Sequence, residues 1–133
     1  MIVLDASVAL RALIGTAEQS DRAWLALGED PDWYAPGVFQ FEVLHQLREI
    51  VVKSSDAARR NLADEAFAEF GTWEIDSVAA APLVTRVWEL RHNFDAGDAL
   101  GVAAAEHLGV PLLTADRRMA KATGARCEFR YVP

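Results

Sequence analysis

The sequence predicts a three-layer α/β/α sandwich around a central, mainly parallel sheet. Three observations lead there. Short apolar runs ("MIVLD", "WYAP", "TWEID", "VPLLTAD", "CEFRYV") alternate with stretches of helical spacing along the whole chain. Such alternation builds parallel sheets covered by helices. The two most apolar of the longer runs, "MIVLD" and "VPLLTAD", end in an aspartate, Asp5 and Asp116. Finally, 133 residues with 52% hydrophobic side chains suit one core, so residues 1–133 are expected to form a single domain.

Taken in order, "MIVLD" is a buried strand that stops at Asp5, and "SVALRALIG" is a helix stopping at Gly15. "SDRAWLALG" is a second helix, capped by Ser20 and stopped by Gly28. "WYAP" is a brief strand ending at Pro36. From Gly37 to about Lys53, Val38, Phe41, Leu44, Leu47 and Val51 recur at helical spacing. Ser54 or Ser55 caps a further helix to about Phe70, and "TWEID" follows as a strand. "SVAAAPLVTRVWELRHNF" reads as helical, with Pro82 tolerated in its first turns. Asp98 to His107 is the next helix, closed by Gly109. "VPLLTAD" is a strand that Pro111 can begin. A short helix "RRMAKATG" and a last strand "CEFRYV" complete the chain.

Charged residues interrupt every apolar run before membrane-spanning length, so no membrane association is expected. "MIVLD" enters the fold without a basic or cleavable leader, and the lone Cys127 cannot form an internal disulfide. A cytoplasmic protein is the expectation. The net charge of −7 argues against nucleic-acid binding by bulk charge. It leaves room for a local basic rim, and it suits a chain that binds a basic partner.

Ligand sites of open parallel sheets lie beyond the carboxyl ends of the strands. Asp5 and Asp116 therefore belong to one edge. Glu42 lies on a helix beside Phe41 and Leu44, and Asp98 opens the helix that feeds "PLLTAD". Four converging carboxylates either keep protons or hold a cation. An all-oxygen set without a His/Cys cluster favours Mg²⁺ or Mn²⁺ over zinc. Each acid also has a purely structural reading. Asp5 and Asp116 are good N-caps for the helices that follow, and Asp98 is a first-turn acid with Asp95 as the cap. Glu42 resists such a reading, because a glutamate on an apolar helical face is rarely buried without a partner.

Other motifs are weaker. "EVLH" is a Glu-x-x-His present once, whereas di-iron bundles need two. His45, His92 and His107 read as exposed or structural. No GxGxxG or GxxxxGK[ST] loop occurs. Ser7 lacks a nucleophile-elbow context.

"MIVLDASVAL", "APGVFQFEVLHQL" and "DAGDALGVAAAEHLGVPLLTADRRMA", in this order and spanning essentially the whole chain, resemble a PIN domain. More narrowly they resemble the VapC-type toxins of bacterial toxin–antitoxin pairs. The resemblance implies an Mg²⁺- or Mn²⁺-dependent endoribonuclease that hydrolyses RNA phosphodiesters with a metal-activated water. It implies an acidic site of Asp5, Glu42, Asp98 and Asp116, with Asp5 and Asp98 anchoring the metal and Ser7 and Thr114 orienting the acids. It further implies a cognate antitoxin that covers the site, and a homodimer. Arg11, Arg117, Arg118 and Lys121 are the candidate basic rim for RNA; their structural reading is a solvated helix face. Where the family pattern has large residues before and three after the third acid, this chain has Gly97 and Gly101, which leaves the acids intact but alters pocket shape.

Three rivals compete. A phosphatase of the haloacid dehalogenase type needs a second Asp where Ser7 stands, and a phospho-receiver domain needs an acid pair after the first strand. A non-catalytic PIN-like scaffold usually loses acids, and here all four are present.

Overall fold

The computed structural model describes residues 1–133. Five short strands, β1 (Ile2–Leu4), β2 (Trp33–Pro36), β3 (Asp76–Val78), β4 (Leu112–Thr114) and β5 (Phe129–Tyr131), form one sheet of order β3-β2-β1-β4-β5. Every pairing is parallel. The helices are α1 (Ala6–Ile14), α2 (Ala17–Gly28), α3 (Val38–Lys53), α4 (Ala57–Phe70), α5 (Val84–Glu89), α6 (Ala96–Leu108) and α7 (Arg117–Lys121). No helix is long and apolar enough to cross a membrane.

Alternation along the strands makes the three layers. Ile2 and Leu4 of β1 point into one core with Val8, Leu27, Phe39, Val43 and Leu47 from α1, α2 and α3. Val3 points into the other, with Val102, Ala104 and Leu112. Helix α6 is almost solid core: Ala99 and Gly101 to Ala105 are buried. Small side chains let this helix lie close against the sheet, which fixes its N-terminus near the ends of β1 and β4. Arg86 of α5 grips the Glu106 carboxylate of α6 with two nitrogens, at 2.7 and 3.0 Å, and so ties the outer helix to the inner one.

Several elements differ from the sequence-based expectation, each for a physical reason. Helix α2 starts at Ala17, because Thr16 and Gln19 form a reciprocal capping box ahead of Ser20. Asp56, and neither serine, caps α4 by accepting from the Ala58 amide. In "TWEID" only the aspartate is in a strand. Trp73 packs edge-on against Trp24, Trp33 and Phe70, and pairing with β2 begins at Asp76. The long helix expected from Ser77 is broken. Ser77 and Val78 belong to β3, Ala81–Leu83 is a 3-10 turn around Pro82, and α5 covers only six residues. In α3 the buried stripe is Phe39, Val43 and Leu47, whereas Phe41 is 72% exposed. Glu42 therefore flanks the buried stripe and does not lie within the expected one.

Candidate active site

The strand order reverses at β1, whose neighbours β2 and β4 lead to opposite edges. Such a switch point leaves a crevice between diverging connections. Asp5 follows β1 directly, and Asp116 lies two residues past β4. Asp5 is the N-cap residue of α1 by position, but its side chain makes no capping bond. Its carboxylate is held from other directions. Oδ2 accepts from the Ser7 hydroxyl and, at 2.8 Å, from the hydroxyl of the fully buried Thr114. Ser7 Oγ accepts the Ala115 amide at 2.9 Å, and Thr114 Oγ1 accepts the Asp116 amide at 3.0 Å. Two hydroxyls thus lock the acid of one strand to the backbone of the next.

Asp116 takes both of its readings at once. Its Oδ1 accepts from the Arg118 and Met119 amides and so caps α7, while Oδ2 pairs with the Arg118 guanidinium at 3.3 Å. Asp98 stands in the first turn of α6, where its amide is capped by Asp95 Oδ1 at 2.9 Å.

These residues line one crevice. A cavity of ≈ 290 Å³ is bordered by Asp5, Ser7, Glu42, Asp95, Asp98 and Asp116, with His45 and Gln46 at its rim. A second hollow of ≈ 440 Å³ shares Asp95, Asp98 and Asp116 and continues past Arg118 towards Arg91 and Asn93. The four predicted acids, and Ser7 beside Asp5, are brought together, and Thr114 stands behind Asp5. Asp95 and His45 were not predicted as lining residues. An Asp at a helix N-cap is locally indistinguishable from an ordinary cap, and His45 follows only from the turn of α3.

The acids load the site with negative charge. Burial, then Asp5, Asp98 and Asp95, push Glu42 up to about 7. Burial, then Asp95, Asp5 and Asp116, raise Asp98 to about 6, against a small opposing pull from Arg118. Burial also raises Asp5 despite its two hydroxyl donors. For Asp116, burial acts upward, but the Arg118 amide and guanidinium and the Met119 amide outweigh it and hold the carboxyl low. Neither Asp98 nor Glu42 owes any stabilisation to a protein hydrogen bond. Their oxygens are available to a cation. No three acids close around a single point as they stand.

The basic rim divides. Arg118 borders the second hollow, with its side chain 94% exposed. Arg117 and Lys121 are exposed on α7 and border neither hollow. Arg11 turns inward: its guanidinium donates to the Val132 and Ala115 carbonyls at 3.0 and 3.1 Å and ties α1 to the chain end. Gly101 is buried against Leu112 on the sheet side and shapes the core, whereas Gly97 faces Glu42. Of the two glycine departures, only Gly97 abuts one of the four acids.

An acidic crevice at the switch point of a parallel sheet, held by hydroxyls from α1 and the neighbouring strand, defines a class of α/β proteins with a carboxylate-lined site at the carboxyl edge of the sheet. The family model of the PIN domain matches residues 2–125. "Ribonuclease VapC12" of Mycobacterium tuberculosis (strain ATCC 25618 / H37Rv) is 33% identical over 132 residues, covering 99% of both chains. "Ribonuclease VapC1" of the same strain is 36% identical over 131 residues, covering 98% of this chain and 96% of its own. Among solved structures, M. tuberculosis VapC20, described as a sarcin-ricin loop cleaving toxin, superposes with a TM-score of 0.67 at 16% identity. That match covers 90% of this chain and 92% of the other, and at such identity it speaks for the fold. The chain belongs to the PIN-domain family, and within it to the VapC ribonucleases.

Proposed function

We infer that this protein is the toxin of a toxin–antitoxin pair, a ribonuclease that hydrolyses RNA phosphodiesters at the crevice between β1 and β4. The observation that carries the reading is the hydroxyl-locked Asp5 facing Asp98 and Glu42 across one cavity. Whole-length relatives named as VapC ribonucleases support it.

The residues fit Mg²⁺ or Mn²⁺. The donors are all carboxylate oxygens, and within the protein Arg118 alone opposes their mutual repulsion, at Asp116 and weakly at Asp98. Asp5 and Asp98 would hold the ion, with Glu42 and Asp116 around it. When bound, the ion offsets charge on the phosphate and makes water a stronger nucleophile. The chain's own work is positioning. Ser7 and Thr114 occupy Asp5 Oδ2, which leaves Oδ1 without a side-chain donor. The α7 N-terminus holds Asp116. Glu42, which borders the crevice, can take a proton from water there. Arg118 lies where an RNA backbone would leave the crevice. A basic side chain of the antitoxin, placed among the same acids, would neutralise the site. A homodimer would lengthen the RNA path.

The test is cleavage of a loop RNA by the purified protein. EDTA should stop it, Mg²⁺ or Mn²⁺ should restore it, and Zn²⁺ alone should not. Products should carry 5′-phosphate and 3′-hydroxyl ends; cyclic phosphates would refute attack by water. Asp5→Asn and Asp98→Asn should each be folded and inactive, because the amide keeps the shape and loses the charge. Near-wild-type cleavage by either would end the site assignment.

A further inference from the structure

Gly97 is the second residue of α6, one position before Asp98. Glycine is a poor helix former, so its place inside a helix calls for a reason. The backbone does not supply one: positive φ occurs only at Gly109 and Gly124. The neighbouring side chain does. A Cβ at position 97 would stand 2.5 Å from Glu42 Oε1 and 3.7 Å from Glu42 Cδ. The first distance is far inside van der Waals contact. Asp95 Oδ1 would lie 3.6 Å away, in ordinary contact. The space that a side chain would fill is filled by the carboxylate of Glu42.

We propose that Gly97 is a positioning residue for Glu42: its missing side chain admits the Glu42 carboxylate over the first turn of α6, beside Asp98. The proposal rests on the reading of these acids as the catalytic site. Glu42 comes from α3, which the chain places on the opposite face of the sheet from α6. The side chain must therefore reach around the sheet edge to join Asp98 in the shared cavity. In this chain, a side chain at position 97 would meet the Glu42 carboxylate where it lies. The clash falls on the flexible end of a glutamate and on no backbone atom, so the fold tolerates it and the carboxylate moves. A substitution at position 97 is thus a way to displace Glu42 without changing Glu42.

The experiment is a double-variant cycle on the full chain, with Mn²⁺ titration calorimetry and RNA cleavage as parallel readouts. Gly97→Ala should weaken Mn²⁺ binding and slow cleavage, each about tenfold, as loss of a supporting partner does. Its melting temperature should be unchanged or raised, since alanine favours the helix. In the Glu42→Gln background the same Gly97→Ala change should have no further effect. Glu42→Asp should partly rescue Gly97→Ala, because the shorter side chain withdraws from the new methyl. Wild-type behaviour of Gly97→Ala, or an equal loss in the Glu42→Gln background, would overturn the proposal. If Glu42→Gln is itself wild-type while Asp5→Asn and Asp98→Asn are inactive, the proposal falls and the site reading stands. An active Asp5→Asn would sink the site reading and this proposal with it.

Discussion

Thr114, fully buried at the end of β4, donates its hydroxyl to Asp5 Oδ2 across the strand pair at 2.8 Å and receives the Asp116 amide at 3.0 Å. One side chain thereby sets the distance between two acids that are 111 residues apart in sequence. Thr114→Val keeps the shape and removes both bonds. It leaves a part-buried amide without its acceptor, which costs about 1 kcal/mol. The expected outcome is a lower urea midpoint together with cleavage reduced about 10–100-fold. Full activity at reduced stability would confine Thr114 to a structural role.

The acids give the metal-free protein an unusual pH response. Glu42 and Asp98 are raised to about 7 and about 6 in the folded state. The folded chain thus keeps protons that the unfolded chain has already lost. Stability from this source is complete below the ordinary carboxylate range and is lost as pH rises through 6 to 7. Allowing for solvent screening, each group contributes on the order of 1 kcal/mol. In EDTA the protein should melt several degrees higher at pH 5.5 than at pH 8. Mg²⁺ should narrow the gap, and the Glu42→Gln/Asp98→Asn variant should keep only the smaller part that Asp5 contributes. Scanning calorimetry at the two pH values checks this, and a higher melting point at pH 8 in EDTA would contradict it.

Asp95 combines a cap with a charge. It accepts from the Asp98 amide, and it raises both Asp98 and Glu42. Asp95→Ser keeps the cap and removes the charge, whereas Asp95→Ala loses both. Asp95→Ala should cost about 1 kcal/mol, and Asp95→Ser much less. Both should lower the pH at which Asp98 titrates, which carboxyl NMR resolves. Unchanged titration in Asp95→Ser would show that the charge of Asp95 is not felt in the crevice.

With a net charge of −7, the chain needs local contacts to hold RNA. Removing the charges of Arg117, Arg118 and Lys121 together should weaken RNA binding. It should also flatten the log–log salt dependence by about 2, at roughly 0.7 per single-strand contact. Mn²⁺ affinity should stay within about twofold, since none of the three ligates a cation. Because only Arg118 borders the crevice, Arg118→Ala should account for the largest single share. An unchanged salt slope would move the RNA path elsewhere, towards Arg48, Lys53, Arg59 and Arg60.

The central strands and the acids were legible because their signals are local. "MIVLD" and "PLLTAD" are apolar runs ended by a charge, and "DALGVAAAEHLG" carries its own cap, small-residue stripe and glycine stop. Elements that depend on distant partners were misread. β3 begins at Asp76 because β2 pairs there, while Trp73 is drawn into a cluster with Trp24, Trp33 and Phe70. The helical spacing after Ser77 is real only from Val84 to Glu89, since Pro82 and the pairing of Val78 take the residues before it and the chain turns from Leu90 onward.

The sequence by itself determined the alternation of elements, and therefore the parallel sheet and the edge on which its acids must lie. Periodicity and strand ends carry that information without any long-range contact. The tertiary structure alone decided what each acid does there. Asp5 could have capped α1; instead two hydroxyls turn its carboxylate to the crevice. Asp116 caps α7 and still borders the cavity. Arg11 was a plausible RNA contact until the Ala115 and Val132 carbonyls claimed its guanidinium. Gly97 became part of the site only when α3 carried Glu42 against it. Each of these depends on which polar groups the fold brings within hydrogen-bonding or van der Waals distance, and local sequence does not contain that distance.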